Sequence, residues 1–197
     1  YGDARQNSAG IDFGNRAQLE ALQAQLKPYL AKPLEKIADA TREELDKAIG
    51  EARAAFPEWA KRPVAERAAI LERMADILES HLAELVALCC TEAGKTLPDG
   101  IAEVREAADF CRYYAQQARD GGNPQSLVSP AGESNHLTLH PRGIFGCISP
   151  WNFPLAIFVG QVAAALVTGN CVIAKPAEQT PVIAQRAVTL FYQAGIP

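Results

Sequence analysis

The sequence has no run of the ~17 to 25 apolar residues that a membrane-spanning helix requires. Its longest apolar stretch, residues 153–167, is interrupted by Gln161. The chain opens without the basic, apolar and small-residue order of a secretory signal. Neither sign of charge dominates, with 19 Lys and Arg against 23 Asp and Glu, so no electrostatic footprint for nucleic acid or an acidic membrane is present. The five cysteines are an odd number with no Cys-x-x-Cys pair, and they stand in apolar segments, which predicts reduced and mostly buried thiols. His81, His136 and His140 have no cysteine or carboxylate at metal-ligand spacing, so no metal is expected. Internal repeats and low-complexity tracts are also missing. These absences predict a soluble, cytoplasmic protein whose partners are a small molecule or other protein chains.

What is present is ordinary globular composition: 197 residues, 48% hydrophobic and 21% charged. Residues 1–30 begin polar and turn-rich, then carry Leu19, Leu22 and Leu26 at helical spacing, which reads as a linker and one short helix. Thr41 ahead of Glu43 and Glu44 predicts a capped helix with an acidic first turn, ending at Pro57. A long helix is expected from Pro63 to about 90–94, with Ile70, Leu71, Met74, Ile77, Leu78, Leu82 and Leu85 on its apolar face. Another runs from about Asp99 to Gly121.

After residue 122 the pattern changes. His136-Leu137-Thr138-Leu139-His140 alternates and predicts an edge hairpin. Residues 143–149 read as a strand, 154–168 as a helix started by Pro154, 171–174 as a second strand and 181–194 as a helix. A helix between two strands makes them parallel with a right-handed crossover. The fold class is α/β, a helical amino-terminal region leading into parallel strands. Two strands alone cannot bury both faces of such a sheet, so the sequence is expected to stop within a domain.

Ligands of open parallel sheets gather at the carboxyl ends of the strands. Those ends are Ser149-Pro150-Trp151-Asn152-Phe153-Pro154 and Lys175-Pro176-Ala177-Glu178-Gln179. Asn152, just before a helix, has a carboxamide suited either to donate to a developing oxyanion or merely to cap that helix. Lys175 and Glu178 suit either a grip on ribose hydroxyls or a solvated ion pair. Glu92-Ala93-Gly94-Lys95-Thr96 ends like a phosphate loop, but Cys89 stands at its first glycine position and no strand precedes it. None of Cys89, Cys90, Cys111, Cys147 and Cys171 is placed like a nucleophile, because burial raises a thiol's pKa.

Pro141-Arg142-Gly143-Ile144, Ile148 to Pro154, Gly169-Asn170 and Lys175-Pro176-Ala177-Glu178-Gln179-Thr180-Pro181, with Glu92 to Thr96 upstream, closely resemble the NAD(P)-dependent aldehyde dehydrogenase superfamily. Within it, the residues from Tyr1 to Gly10, from Glu106 to Ala115 and from Gly132 to Asn135 are similar to the L-glutamate gamma-semialdehyde dehydrogenase module of bifunctional proline utilisation A proteins. The resemblance implies a Rossmann-like NAD-binding domain and oxidation of an aldehyde to an acid. It implies an oxyanion donor at Asn152, a cofactor side at Ile148, Ser149, Pro150 and Trp151, adenosine-ribose contacts at Lys175 and Glu178, and an aldehyde-flanking aromatic at Phe153.

By the same resemblance, residues 1–30 are a linker and short helix and 31–123 the helical part of the NAD-binding domain. Residues 124–141 are a hairpin of the oligomerisation domain, and 142–197 an incomplete βαβα part. A homo-oligomer follows, with FAD only where a proline dehydrogenase module is also present. Glu178 accepts from free ribose hydroxyls and repels a 2'-phosphate, which favours NAD over NADP. The family's cysteine nucleophile, general-base glutamate and pyrophosphate loop are expected beyond residue 197, so these residues alone are expected to be inactive. The segment between Tyr29 and Thr41 is shorter than the family's. A non-catalytic binding or assembly module derived from the family, and a generic doubly wound domain, are the alternative readings.

Overall fold

The computed structural model describes residues 5–197. The part of the resemblance that falls on residues 1–4 lies outside them. Helix α1 (Arg16–Leu30) starts where Asn15 accepts from the backbone N–H groups of Ala17 and Gln18. Residues 32–40 that follow have no helix or strand. Helix α2 (Arg42–Lys61) opens with a capping box, Thr41 and Glu44 each satisfying the other's backbone N–H.

Pro57 does not end α2 but lies inside it. Two residues on, Trp59 is buried and its indole Nε1 donates to the Leu166 carbonyl at 3.0 Å. That anchor, together with cation–π contact from Arg62, carries the helix past the proline.

The single helix expected over 63–94 is two, α3 (Val64–Ser80) and α4 (Leu82–Ala93). His81 at φ −102°, ψ 20° breaks it. Ser80 Oγ donates to the Ile77 carbonyl at 2.8 Å and His81 Nδ1 lies 2.9 Å from the same oxygen, so side chains compete for a carbonyl that the helix would otherwise use alone. Gly94 closes α4 at φ 66°, a left-handed turn suited to glycine. Helix α5 (Leu97–Gly121) follows, with Thr96 as its cap.

β1 (Gln125–Leu127) and β2 (Asn135–Leu137) form the expected antiparallel hairpin, exposed at every position and shorter than the alternating sequence to His140 suggests. β3 (Ile144–Ile148) and β4 (Cys171–Lys175) are parallel, joined through α6 (Ala156–Val167), and α7 (Pro181–Ala194) comes last. Helix α6 begins two residues later than Pro154 because residues 154–155 form a turn.

One apolar core unites α3, α4, α5, α6 and α7, with Leu71, Met74, Leu78, Leu85, Val104, Phe158 and Leu190 sealed from solvent. The helical layer also fastens α6 and α7 by their ends. Glu103 on α5 accepts from Leu155 and Ala156 at the N-terminus of α6, while Trp59 and Arg67 donate to Leu166 and Val167 at its C-terminus. Glu92 on α4 accepts from Val182 and Ile183 at the start of α7, and Arg73 on α3 donates to Ala194 at its end. Carboxylates sit at both N-termini and arginines at both C-termini, the signs that the helix dipole favours. Among the described residues no helix is long and apolar enough to cross a membrane.

Across α3 and α5, Arg112 binds Asp76 and Glu79, and Arg119 binds Glu72. The hydrogen bond from Arg112 holds the Glu79 carboxyl below the usual glutamate range. A depressed folded pKa stabilises the fold above the unfolded pKa, and that contribution is lost as pH falls through the folded value. Glu79→Gln is therefore expected to cost up to about 1 kcal/mol near neutral pH, screened as a partly exposed pair. The difference from the unaltered protein should shrink to nothing on acidification in thermal unfolding. A difference that persists in acid contradicts the assignment.

Candidate functional site

The parallel register sets Ile148 opposite Lys175, so both strands end at the same level. The backbone N–H of Ser149 donates to the Lys175 carbonyl at 3.2 Å, extending the ladder one step past β3. Below this edge, buried Asn170 accepts with Oδ1 from Arg142 and Gly143 and donates with Nδ2 to Thr168, locking the beginnings of the two strands together. Gly169 makes the preceding turn at φ 88°, with Arg67 and Pro141 3.4 Å from where a Cβ would sit. The residues singled out in the two loops are thus brought to one sheet edge.

Along that edge Ile148 is 71% exposed, Ser149 is buried, and Pro150 is half-buried. Trp151, Asn152 and Phe153 follow as a series of exposed bends. The Asn152 carboxamide makes no hydrogen bond among the described residues, so it does not cap α6. The helix N-terminus offers less than the sequence suggests: the N–H groups of Leu155 and Ala156 turn to Glu103 Oε2, at 3.2 and 2.9 Å. The Asn152 carboxamide is a side-chain donor this loop can present to a ligand.

Across the edge, Lys175 Nζ and Glu178 Oε2 are 3.6 Å apart, with side chains 59% and 72% exposed. The Glu178 backbone and then the Lys175 ammonium hold the Glu178 carboxyl below the usual range. It is ionised at neutral pH and purely an acceptor. An ammonium donor and a carboxylate acceptor side by side at the carboxyl edge are the chemistry that a ribose diol requires, so these residues fit a nucleotide's sugar.

All five cysteines are free thiols, and burial raises every one of them, Cys111 to about 12. None is a thiolate nucleophile at neutral pH.

Sequence reasoning missed the residues that brace this edge. Glu103 is 1% exposed, on the α5 face shared by Gly100, Val104, Ala107 and Cys111. A carboxylate at a core position of an apolar stripe was the available signal. Arg67 offered the same one, at a position shared with Ala68, Leu71 and Met74 on α3. Glu92 and Lys95 were visible only as part of a motif without a task.

Residues 15–197 match the model of the aldehyde dehydrogenase family. The bifunctional protein PutA of Escherichia coli is 41% identical over 225 aligned residues, which take in all of this chain and 16% of that protein. A crystal structure of bifunctional proline utilization A superposes with a TM-score of 0.97 at 52% identity, over all of this chain and 20% of the other. A 1-pyrroline-5-carboxylate dehydrogenase from Thermus with bound NAD gives a TM-score of 0.88 at 29% identity, over 98% of this chain and 43% of that one. The chain thus spans about one sixth of the length of these curated PutA relatives.

Proposed function

The chain belongs to the aldehyde dehydrogenase family, and from that premise we propose that it forms the oxyanion and nucleotide side of an NAD-dependent enzyme oxidising L-glutamate gamma-semialdehyde to L-glutamate in proline catabolism. The observation that carries this reading is the register of Ile148 on Lys175, which puts the Asn152 loop and the Lys175–Glu178 pair at one edge. The Thermus relative with bound NAD supports the choice of cofactor.

In the proposed reaction a cysteine thiolate from outside these 197 residues attacks the aldehyde carbon, and the carbonyl oxygen becomes an oxyanion that accepts from the Asn152 carboxamide. NAD, when bound, supplies the hydride acceptor. Collapse of the oxyanion with loss of the carbon-bound hydride to that acceptor would leave a thioester, which water would cleave to release the acid and regenerate the thiol. Ile148, Ser149, Pro150 and Trp151 wall the nicotinamide side, Phe153 flanks the aldehyde, and Lys175 and Glu178 hold the adenosine ribose. These residues alone carry no nucleophile and no turnover is proposed for them in isolation.

The segment 124–141 is proposed as part of an oligomerisation domain, an assignment favoured by the exposed Leu127, Val128, Leu137 and Leu139 on and beside the hairpin. Residues 1–30 are then the linker and first helix, 31–123 the helical and 142–197 the βαβα part of the NAD-binding domain. The enzyme is read as a cytoplasmic homo-oligomer, with FAD confined to a proline dehydrogenase module where one is joined to it.

The test is turnover by the full-length polypeptide: NAD and the semialdehyde should yield NADH and glutamate in equal amounts, and no NADH would contradict the reading. Glu178→Gln removes the charge that repels a 2'-phosphate. Its NAD to NADP preference is expected to fall by about fivefold, the scale of a solvent-exposed charge, measured as the ratio of kcat/KM values. An unchanged ratio removes Glu178 from cofactor selection.

A further inference from the structure

Asn152 stands on exposed bends and its carboxamide has no hydrogen bond among the described residues, so its position depends on what holds its neighbours. Two groups from the helical layer do so. Glu103 Oε2 accepts from the N–H groups of Leu155 and Ala156, three and four residues past Asn152, and both of those residues are sealed from solvent. Glu103 Oε1 lies 3.1 Å from Lys95 Nζ, a contact of charge more than of a well-directed hydrogen bond. The same ammonium stands 4.3 Å from the centre of the Phe153 ring, the residue next to Asn152. Lys95 reaches this place because Gly94 turns the chain at the end of α4 and the Lys95 N–H returns to the Cys89 carbonyl.

A carboxylate 1% exposed is costly to bury without a counter-charge and hydrogen bonds. Here the counter-charge touches Phe153 and the hydrogen-bonded backbone is that of Leu155 and Ala156, all within four residues past Asn152. We propose that Lys95 and Glu103 form a clamp on residues 153–156 that sets the position of the Asn152 carboxamide, making both of them positioning residues for oxyanion stabilisation. The inference rests on the assignment of Asn152 above. It gives a task to the Glu92-Ala93-Gly94-Lys95-Thr96 segment, whose Glu92 fastens α7 while its Lys95 serves α6.

Glu103→Gln separates the two halves of the clamp. One amide oxygen at the place of Oε2 still takes both N–H groups, but the charge that holds Lys95 against Phe153 is gone. The experiment uses the full-length polypeptide and reads single-turnover NADH formation, NAD affinity and melting temperature for Asn152→Ala, Glu103→Gln, Lys95→Met and their pairings. Glu103→Gln is expected to slow NADH formation by about 10- to 100-fold with NAD affinity unchanged, the scale of a misplaced catalytic group. In the Asn152→Ala background the same change should cost less than about twofold, since the donor being positioned is already missing.

Lys95→Met should show the same pattern at about tenfold, and it carries the comparison if Glu103→Gln does not fold. An equal loss with and without Asn152, or a parallel loss of NAD affinity, overturns the clamp while leaving Asn152 as the donor. If Asn152→Ala itself leaves the rate unchanged, the donor assignment and the clamp fall together.

Discussion

Asn152→Ala in the full-length polypeptide is expected to slow NADH formation from the semialdehyde by about 10²- to 10³-fold, the cost of one oxyanion donor, with NAD affinity retained. The size of the effect follows from how few donors the edge offers. The first backbone N–H groups of α6, the obvious alternative, face Glu103. Ser149 spends its N–H on Lys175. Removing the carboxamide removes the donor on which the oxyanion assignment rests. Asn152→Asp, which exchanges a donor for a charged acceptor at nearly the same volume, should be no faster than Asn152→Ala. Stopped-flow NADH formation distinguishes these outcomes from a loss of cofactor, because a binding defect is recovered at saturating NAD and a missing donor is not.

The largest expected loss of stability is at Trp59. Trp59→Ala should destabilise the protein by about 3 to 5 kcal/mol in urea unfolding, from the buried ring and the cavity it leaves. Trp59→Phe, keeping most of the ring and losing only the bond to the Leu166 carbonyl, should cost about 1 kcal/mol. The residue matters beyond its size because it is 2% exposed and ties α2 to the last turn of α6, the turn that delivers the chain through Gly169 and Asn170 into β4. Equal losses in the two variants would show that the hydrogen bond, and not the packing, dominates.

The helices of this protein were legible because their apolar residues recur at helical spacing and a cap such as Thr41 with Glu44 is local; the Thr96 cap was not read, and α5 begins at Leu97, two residues before the expected start. The βαβα order and the two loops at its carboxyl edge were legible for the same reason, as runs bounded by glycine and proline. What the pattern misread was local competition settled by distant contacts. Pro57 reads as a stop, yet Trp59 two residues later is held by α6, 107 residues away. Ser80 and His81 carry no breaker signal, yet their side chains converge on one carbonyl and divide the helix.

The candidate site divides in the same way. The residues at the sheet edge, from Ile148 to Phe153 and Lys175 with Glu178, were found from motif and topology. The residues that fasten it were not, because each is a side chain reaching a backbone group far along the sequence: Glu103 to Ala156 across 53 residues, Glu92 to Ile183 across 91 and Arg73 to Ala194 across 121. No window of sequence contains such a pair. A charged residue at a buried position of an amphipathic stripe is the trace it leaves, and a buried charge must find a partner somewhere.

The central claim is that the edge formed by β3 and β4 is a nucleotide and aldehyde site. A crystal structure of the full-length polypeptide with NAD measures it most directly. The account predicts the adenosine ribose hydroxyls within hydrogen-bond distance of Lys175 and Glu178, their mutual ion pair opened, and the nicotinamide beside residues 148–150 with the Asn152 carboxamide facing the reacting centre. A dinucleotide bound away from this edge, with Lys175 and Glu178 still paired to each other, would contradict it.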